Sequence, residues 1–244
     1  MDNNGNSNYY SADSSYGVAL SFCIGLVTEE SLWNELYDAI DDPDASYRTK
    51  YAVGDKLPYT IGDNVYHAVI AGIDVDEDEN GNKIPVTFVT EELYAETAAM
   101  NDTATNGGGW KESKMRKTMM PAIEALLPEH LRNRINAVKK VSMLTDETEQ
   151  ITYDSVWIPN CKELGFTSKQ ETDGVAYTGL FLDNNSRIKK EGTFYFVRTA
   201  SSSGTTKFYV VDLGGTNGST GVDANVAGNF PVSFCVGHIP EKIQ

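Results

Sequence analysis

Residues 229–237, with the sequence NFPVSFCVG, form a short apolar run near the C-terminal end of the chain. A run of this length, bounded by turn-forming residues, is typical of a strand. Its last five residues return almost unchanged at residues 21–25, as SFCIG. Residues 18–26 are also short and apolar, so we expect a second, buried strand there. The preceding residues 1–16 are polar and without periodicity, which indicates a loop or tail.

Composition limits the classes of partner. The chain has 244 residues, and 35 acidic against 20 basic side chains give a formal net charge of -15. Such a charge repels phosphate backbones and anionic lipid surfaces. The 40% hydrophobic content supports an ordinary core, and no apolar run approaches the roughly eighteen residues of a membrane span. We expect a globular protein that neither binds nucleic acid nor inserts into a membrane.

The three cysteines are Cys23, Cys161 and Cys235. They lie too far apart for a C-x-x-C metal or redox motif, and an odd number leaves at least one thiol free. A bridge between Cys23 and Cys235 requires the two SFC strands to be neighbours. Their apolar flanks favour the alternative, buried free thiols.

A helix is predicted directly after the first strand. Thr28 can cap it, and the glutamates at positions 29 and 30 suit its positive N-terminal end. One apolar stripe follows before Pro43, formed by Leu32, Trp33, Leu36, Tyr37 and Ile40.

The remaining chain alternates in character. Residues 51–90 read as strands, with Asn80 and Gly81 as a hairpin turn. Residues 107–135 carry two or three short helices punctuated by prolines. Short strands return afterwards, in AVKKVSML, SVWIPN, GVAYTGLFL, GTFYFVRTA, KFYVVDL and FPVSFCV. Helices between two groups of strands predict an α+β domain.

Five motifs between residues 53 and 236 carry a resemblance. They are the meander that begins YAVGDKLPYTIGDN, the helix start WKESKMR, the turn SVWIPNCKELG, the strand RIKKEGTFYFVRTA and the closing NFPVSFCVG. Together they resemble an uncharacterised domain family of bacterial surface proteins and phage or prophage structural proteins. That family is thought to adopt a C-type-lectin-like fold.

The resemblance implies an α+β, C-type-lectin-like fold of mostly antiparallel sheets, with two to four short helices and long late loops. Such a fold is related to formylglycine-generating enzymes and to the receptor-binding variable proteins of phages. The paired active-site cysteines of those enzymes have no counterpart here. The implied domain covers residues 45–240, after a linking helix at 28–44 and a tail and strand at 1–27.

The same resemblance assigns structural roles. Glu163 is expected to form an ionic clip with either Arg198 or Arg116, because charges within aromatic strands need partners. The closing motif has Phe230 where the family has arginine, which puts in doubt any salt bridge of the last strand. The structural residues are Trp110, Arg116, Trp157, Glu163 and Arg198.

The repeated SFC has two explanations. In a C-type-lectin-like fold the first and last strands pair, so neighbouring strands would share packing requirements. Alternatively, residues 9–26 resemble the closing strand of a preceding copy of the domain. We favour the second explanation, because SSYGVALSFCIG and AGNFPVSFCVG are similar over a wider span.

Motifs for metal and catalysis are weak. Asp76, Asp78 and Asn80 match the first positions of an EF-hand loop, but Thr87 stands where the bidentate glutamate belongs. A solvated hairpin tip is therefore favoured over calcium, and no cofactor is expected. The three histidines are scattered and no nucleophile motif is present. We therefore expect no enzyme.

The late segment, residues 199–229, is rich in small polar residues with occasional aromatics, which is typical of recognition loops. Its candidate ligand residues are Ser201, Ser202, Ser203, Lys207, Tyr209, Asn217, Asn225 and Asn229. We expect a non-enzymatic binding or display module of a phage particle or bacterial surface, which recognises a host glycan or protein. The alternative is a structural virion or assembly subunit whose terminal strands pair between copies.

Overall fold

A computed structural model describes residues 27–218 and 221–239. The expected strand at residues 18–26 lies outside this range, as does Cys23. The α-helices of the described range are Glu29–Asp41 (α1), Tyr47–Lys50 (α2), Gly109–Glu112 (α3), Met120–Leu126 (α4), Glu129–Arg132 (α5) and Asn184–Arg187 (α6). A π-helical turn, Met115–Met119, runs directly into α4. None of the described helices has the length and apolarity needed to cross a membrane.

The strands build three antiparallel sheets. Their bounds are Lys56–Ile61 (β1), Asn64–Ile73 (β2), Val86–Thr90 (β3), Ile135–Asn136 (β4), Val138–Met143 (β5), Glu149–Asp154 (β6), Val156–Trp157 (β7), Tyr195–Ala200 (β8), Lys207–Val211 (β9), Val222–Asp223 (β10) and Ser233–Val236 (β11). The main sheet has the order β1-β2-β3-β11-β4, and β7 also pairs with β11. Separate sheets join β5 to β6 and order β10-β9-β8. The fold is therefore α+β, with mostly antiparallel sheets and short helices.

Strand β11 lies in the middle of the main sheet. Phe234 stands opposite Phe88 of β3 on one side and Val156 of β7 on the other. Val236 is flanked in the same way, by β3 and β4. Strands of the described range therefore occupy both hydrogen-bonding edges of β11. Both explanations of the repeated SFC concern residues outside the described range, and they stay predictions.

The two cysteines of the described range, Cys161 and Cys235, are free and buried. Burial raises the pKa of both thiols well above the ordinary range. A thiol held protonated in this way is unreactive. The favoured alternative for the cysteines, free buried thiols, therefore agrees with the structure for these two residues.

The predicted first helix is present as α1. Thr28 caps it. The Thr28 hydroxyl accepts from the Ser31 amide at 3.1 Å, and the Ser31 hydroxyl accepts from the Thr28 amide. The apolar stripe packs against the main sheet, with Trp33 fully buried. The Trp33 indole donates to the Pro58 carbonyl at 2.7 Å, and its ring lies 5.3 Å from that of Phe88. The helix expected to be a linker thus contributes to the main core.

The predicted hairpin is also present. Strands β2 and β3 are antiparallel, and the turn between them places Gly81 at a φ of 81°, which glycine tolerates. The Asp78 carboxylate closes this turn by accepting from the backbone amides of Asn80 and Asn82, both at 2.8 Å.

The prediction of a strand at residues 174–182 is wrong. These residues form turns, in which the amides of Leu180 and Phe181 both donate to the Tyr177 carbonyl. Tyr177 and Phe181 are both buried. In a strand Gly179 would share their face, but it is exposed, so burial does not alternate along this stretch. The short helix α6, capped by Asp183, follows without having been predicted.

A second, smaller core lies on one face of β8. Tyr195 and Val197 point into it, while the alternating residue Phe196 belongs to the main core. Cys161, Leu164, Phe166 and Tyr177 cover this face from the long segment between β7 and α6. Strand β8 therefore carries both cores and fixes the long segment against the sheet.

Replacing Trp33 by alanine tests whether α1 is integral to the domain. Trp33→Ala is expected to lower the free energy of unfolding by about 3–5 kcal/mol, since it removes a large buried ring and leaves a cavity. Urea unfolding measures the change. Glu35→Ala on the exposed side of the same helix is the matched control. Equal stability of the two variants would show that α1 is only a linker.

Candidate functional site

The structure separates the eight predicted ligand residues by exposure. Ser202, Ser203 and Asn225 are exposed, and Lys207, Asn217 and Asn229 are half-buried. Ser201 and Tyr209 are fully buried. The two buried residues belong to the framework beneath the late loops, so only the remaining six can meet a ligand without rearrangement.

The hairpin between β8 and β9 is held firmly. The Asn106 side-chain amide donates to the carbonyls of Gly204 and Lys207, at 2.9 and 2.7 Å. Within the hairpin, the hydroxyls of Ser202 and Tyr209 lie 3.0 Å apart. A loop fixed at both ends by buried groups presents its exposed side chains in one arrangement, which favours selective contact.

Beside this hairpin lies a cleft of about 480 Å³, which we call the Glu171 cleft. Its size falls within the range typical of small-molecule sites. Seven of its eight lining residues are polar or charged, and the set is Met143, Glu147, Lys162, Thr167, Lys169, Gln170, Glu171 and Thr172. None of the eight predicted ligand residues is among them.

Glu171 is the buried charged member of the lining, with 1% of its surface exposed. Its Oε1 accepts from the Thr199 hydroxyl at 2.6 Å and from the Met143 amide at 3.2 Å. Its Oε2 has no hydrogen-bond partner. Burial raises the pKa of Glu171, although the Arg198 guanidinium opposes the effect. A buried carboxyl with one unused oxygen is a position that a ligand hydroxyl or amide can satisfy.

Backbone strain coincides with this cleft. Glu147 and Lys169 have φ values of 64° and 55°, in the left-handed region that residues with side chains rarely adopt. The other non-glycine residues of this kind in the described range are Ala45 and Asp74. Strained residues persist where the surrounding structure holds them, and they gather at functional sites.

Three predicted residues adjoin the wall of the cleft. The Lys169 ammonium lies 5.2 Å from the centre of the Tyr209 ring. Asn217 donates to the Ser168 carbonyl at 3.4 Å. Through these contacts Tyr209 and Asn217 border the segment that carries Glu171, and Ser202 is linked to it through the Tyr209 hydroxyl. Asn229 instead donates to the Phe194 carbonyl, away from the lining residues.

An ionic core supports the cleft from beneath. Arg198 forms a two-pronged pair with Glu163, with its two terminal nitrogens 2.5 and 2.9 Å from the carboxylate oxygens. Lys140 lies 3.2 Å from Glu163 and 2.6 Å from Asp76. Burial alone would raise the pKa of Glu163, but Arg198 and Lys140 outweigh it and lower that pKa to about 2. Of the two expected clips, the structure contains Glu163 with Arg198.

Arg116 has a different partner. Its Nε lies 2.6 Å from Asp154, whose other oxygen accepts from the Trp110 indole at 2.8 Å. Trp157 is fully buried, and its ring faces the Lys140 ammonium at 3.8 Å. The five residues expected to be structural therefore lie in two polar arrangements, one around Glu163 and one around Asp154.

The residues of the calcium alternative are engaged separately. Asp76 is buried beside Lys140, whereas Asp78 closes the hairpin turn. Within the described chain, the residues that could hold a metal ion are instead His67, Glu91 and Glu92, whose ligand atoms lie within 4.8 Å of one another. His67 already pairs with Glu92 at 2.7 Å, and Glu91 with Lys56 at 2.5 Å.

Sequence reasoning missed Glu171. Its segment, GFTSKQETDG, has the composition of an exposed polar loop, and no motif singles out this glutamate. Only the contact with Thr199 and Met143 shows that its carboxyl is buried. The one available signal for a binding site was the polar, turn-forming composition of this segment, since polar loops on a rigid scaffold commonly carry binding residues.

A comparison with known protein families gives a match. A family model described as a domain of unknown function (DUF6273) matches residues 85–236, more than half of the chain. The matched range includes Lys140, Glu163, Arg198 and the whole lining of the Glu171 cleft. Neither the curated proteins nor the solved structures contain a match.

The raised pKa of Glu171 predicts a pH effect on stability. The unfolded chain releases this proton near the ordinary value of 4.5, before the folded chain does. Folding therefore becomes less favourable as the pH rises through that value. Glu171→Gln cannot ionise, so it should gain stability relative to the wild type between about pH 4 and about pH 7. Urea unfolding at both pH values measures this gain.

The control for this experiment is Glu147→Gln, which alters an exposed carboxylate of the same cleft. Its stability is expected to follow that of the wild type over the same pH range. Parallel pH dependence of the wild type and Glu171→Gln would contradict a buried, ionisable Glu171.

Proposed function

The chain belongs to the family of the domain of unknown function DUF6273, and on that premise we propose that it is a non-enzymatic binding module. Its ligand is a glycan or glycosylated protein of a host surface. The module is displayed on a phage particle or bacterial surface, in a C-type-lectin-like arrangement of the α+β fold. The supporting observations come from the Glu171 cleft.

The observation that carries this proposal is the unused oxygen of a buried carboxyl in a polar cleft. Glu171 Oε2 is buried and has no partner, and its residue lines a cleft of about 480 Å³, from which a small side-chain movement would bring this oxygen to a ligand. A sugar hydroxyl both donates and accepts hydrogen bonds. It therefore satisfies Glu171 whether the carboxyl is protonated or ionised, whereas an anionic ligand suits only the protonated form.

The lining supports a neutral hydroxylated ligand. Two glutamates and two lysines line the cleft together with a glutamine and two threonines, so neither charge dominates. The net charge of -15 further disfavours strongly anionic partners. The exposed Ser202 and the half-buried Asn217 stand at the adjoining wall, where they extend the polar surface available to a longer glycan.

The test is retention of the purified chain on an immobilised glycan array, with and without a chelator. Glu171→Ala is expected to weaken binding about tenfold or more, because removal of the ligand's buried hydrogen-bond partner costs about 1.4 kcal/mol or more. Asn225→Ala is the control, since this residue is exposed but does not line the cleft. Its affinity should stay within about twofold of the wild type.

The other outcomes have distinct meanings. Equal loss in both variants, or loss only in Asn225→Ala, would move the binding surface from the cleft to the late loops. Binding that the chelator abolishes would require a metal ion in recognition. Absence of retention on glycans and on host cells would overturn the binding module in favour of a structural virion subunit.

A further inference from the structure

The ionic core, formed by Asp76, Lys140, Glu163 and Arg198, contains a close contact between Lys140 and Asp76 that the proposed ligand binding does not explain. Asp76, Lys140, Glu163 and Arg198 are each only 1% exposed. Arg198 binds both oxygens of Glu163. The carboxylate nearest to Lys140 is that of Asp76. The Lys140 Nζ lies 2.6 Å from Asp76 Oδ1. The amine and the carboxyl are thus in direct contact in a site closed to water.

The two oxygens of Asp76 have different surroundings. Oδ1 faces the amine, as described above. Oδ2 accepts from the Thr87 hydroxyl at 2.8 Å and from the Tyr177 hydroxyl at 3.2 Å. The Cys235 thiol lies 3.7 Å from the same oxygen. The Tyr177 hydroxyl lies equally close to Glu163 Oε1, at 3.2 Å, and its single proton serves one of the two oxygens at a time. The Thr87 hydroxyl, joined by Tyr177 when that proton is turned to Oδ2, polarises the carboxyl carbon and stabilises negative charge that develops on Oδ2.

The amine is held equally firmly. The Trp157 ring lies 3.8 Å from Nζ, and the Tyr177 hydroxyl lies 3.1 Å from it. Glu163 Oε1 lies on the amine as well, at 3.2 Å. A nucleophile and an electrophile held at contact distance react as one molecule, with a large gain over the same groups in solution.

From this geometry we propose that Lys140 and Asp76 form an intramolecular amide bond, which cross-links β5 to the loop that follows β2. The reaction is autocatalytic and uses only side chains of this chain. It goes beyond the binding function, because it concerns a covalent bond within the scaffold rather than the ligand site.

The reaction begins with a proton transfer inside the cluster. Burial disfavours the Lys140 ammonium, but Asp76 and Glu163 outweigh it and raise the pKa of Lys140, so the ion pair is the resting state. Transfer of one proton across the 2.6 Å contact gives a neutral amine and a carboxylic acid. The total charge of the cluster is unchanged, since Glu163 and Arg198 remain a pair.

Bond formation then balances without another reactant. Nζ attacks Cγ of Asp76, and the resulting oxyanion is Oδ2, beside the hydroxyls of Thr87 and Tyr177. Glu163 accepts a proton from the nitrogen and releases it as the bond between Cγ and Oδ1 breaks. Oδ1 leaves as water. Of the three ammonium protons, one remains on the amide nitrogen and two leave in that water.

The product relieves an unfavourable arrangement. A buried ion pair has lost the hydration of both ions, and its attraction need not compensate for that loss. The amide removes two of the four buried charges and leaves the Arg198–Glu163 pair balanced. The bond also joins residues 64 positions apart, which restricts the unfolded chain.

The test is the mass of the intact, denatured wild-type chain. We expect the wild-type chain to be lighter than its sequence mass by one water, whereas Lys140→Arg should have its full sequence mass. Comparison of the two chains cancels any N-terminal processing, because both chains share it. Tryptic digestion should then yield one branched peptide that contains both Lys140 and Asp76. A full sequence mass, or a water loss confined to a linear peptide, would overturn the proposal.

Matched variants separate the reacting pair from its surroundings. Lys139→Arg alters the exposed neighbour of Lys140 and should retain the water loss. Asp76→Ala should show the full mass. Glu163→Gln keeps both reacting groups, and we expect a smaller cross-linked fraction; complete cross-linking in this variant would overturn the proton-accepting role of Glu163. Because the bond forms only in the folded chain, the fold of each variant is checked by circular dichroism before its mass is read.

Discussion

The two-pronged pair between Arg198 and Glu163 is the interaction on which the rest of the structure depends. Beyond Glu163, the Arg198 guanidinium donates to the carbonyls of Ile158 and Val141, at 2.8 and 3.1 Å, and to the Ser142 hydroxyl at 3.1 Å. One side chain of β8 thereby binds β5 and the segment after β7. Breaking a buried pair by removing one partner costs about 3–5 kcal/mol, because the other charge is left uncompensated.

This constraint positions the candidate site. Glu163 also accepts from the Asn160 amide at 3.0 Å, which shapes the turn that begins the long segment after β7. The next residue of β8, Thr199, donates to Glu171. Strand β8 therefore holds Glu163 through Arg198 and supports the cleft through the next residue, Thr199. The proposed recognition at the cleft and the proposed cross-link beneath it therefore depend on the same framework.

Sequence reasoning reached some parts of this arrangement and missed others. The capped helix α1 and the hairpin around Gly81 followed from local signals, because caps and turns are formed by residues close together in the chain. The pairing of Glu163 with Arg198 was one of two alternatives, and only the structure chose between them. Arg116 took Asp154 instead, a residue that no motif had singled out.

What the sequence determined by itself was the α+β class, the capped first helix, the hairpin turn and the need of buried arginines for carboxylates. Each follows from local periodicity or from the cost of an unpaired charge. Only the tertiary structure decided that β11 lies between β3 and its other neighbours, that Glu171 is buried, and that Lys140 meets Asp76. These relations join residues far apart in the chain, and burial at such positions depends on what the whole fold places over them.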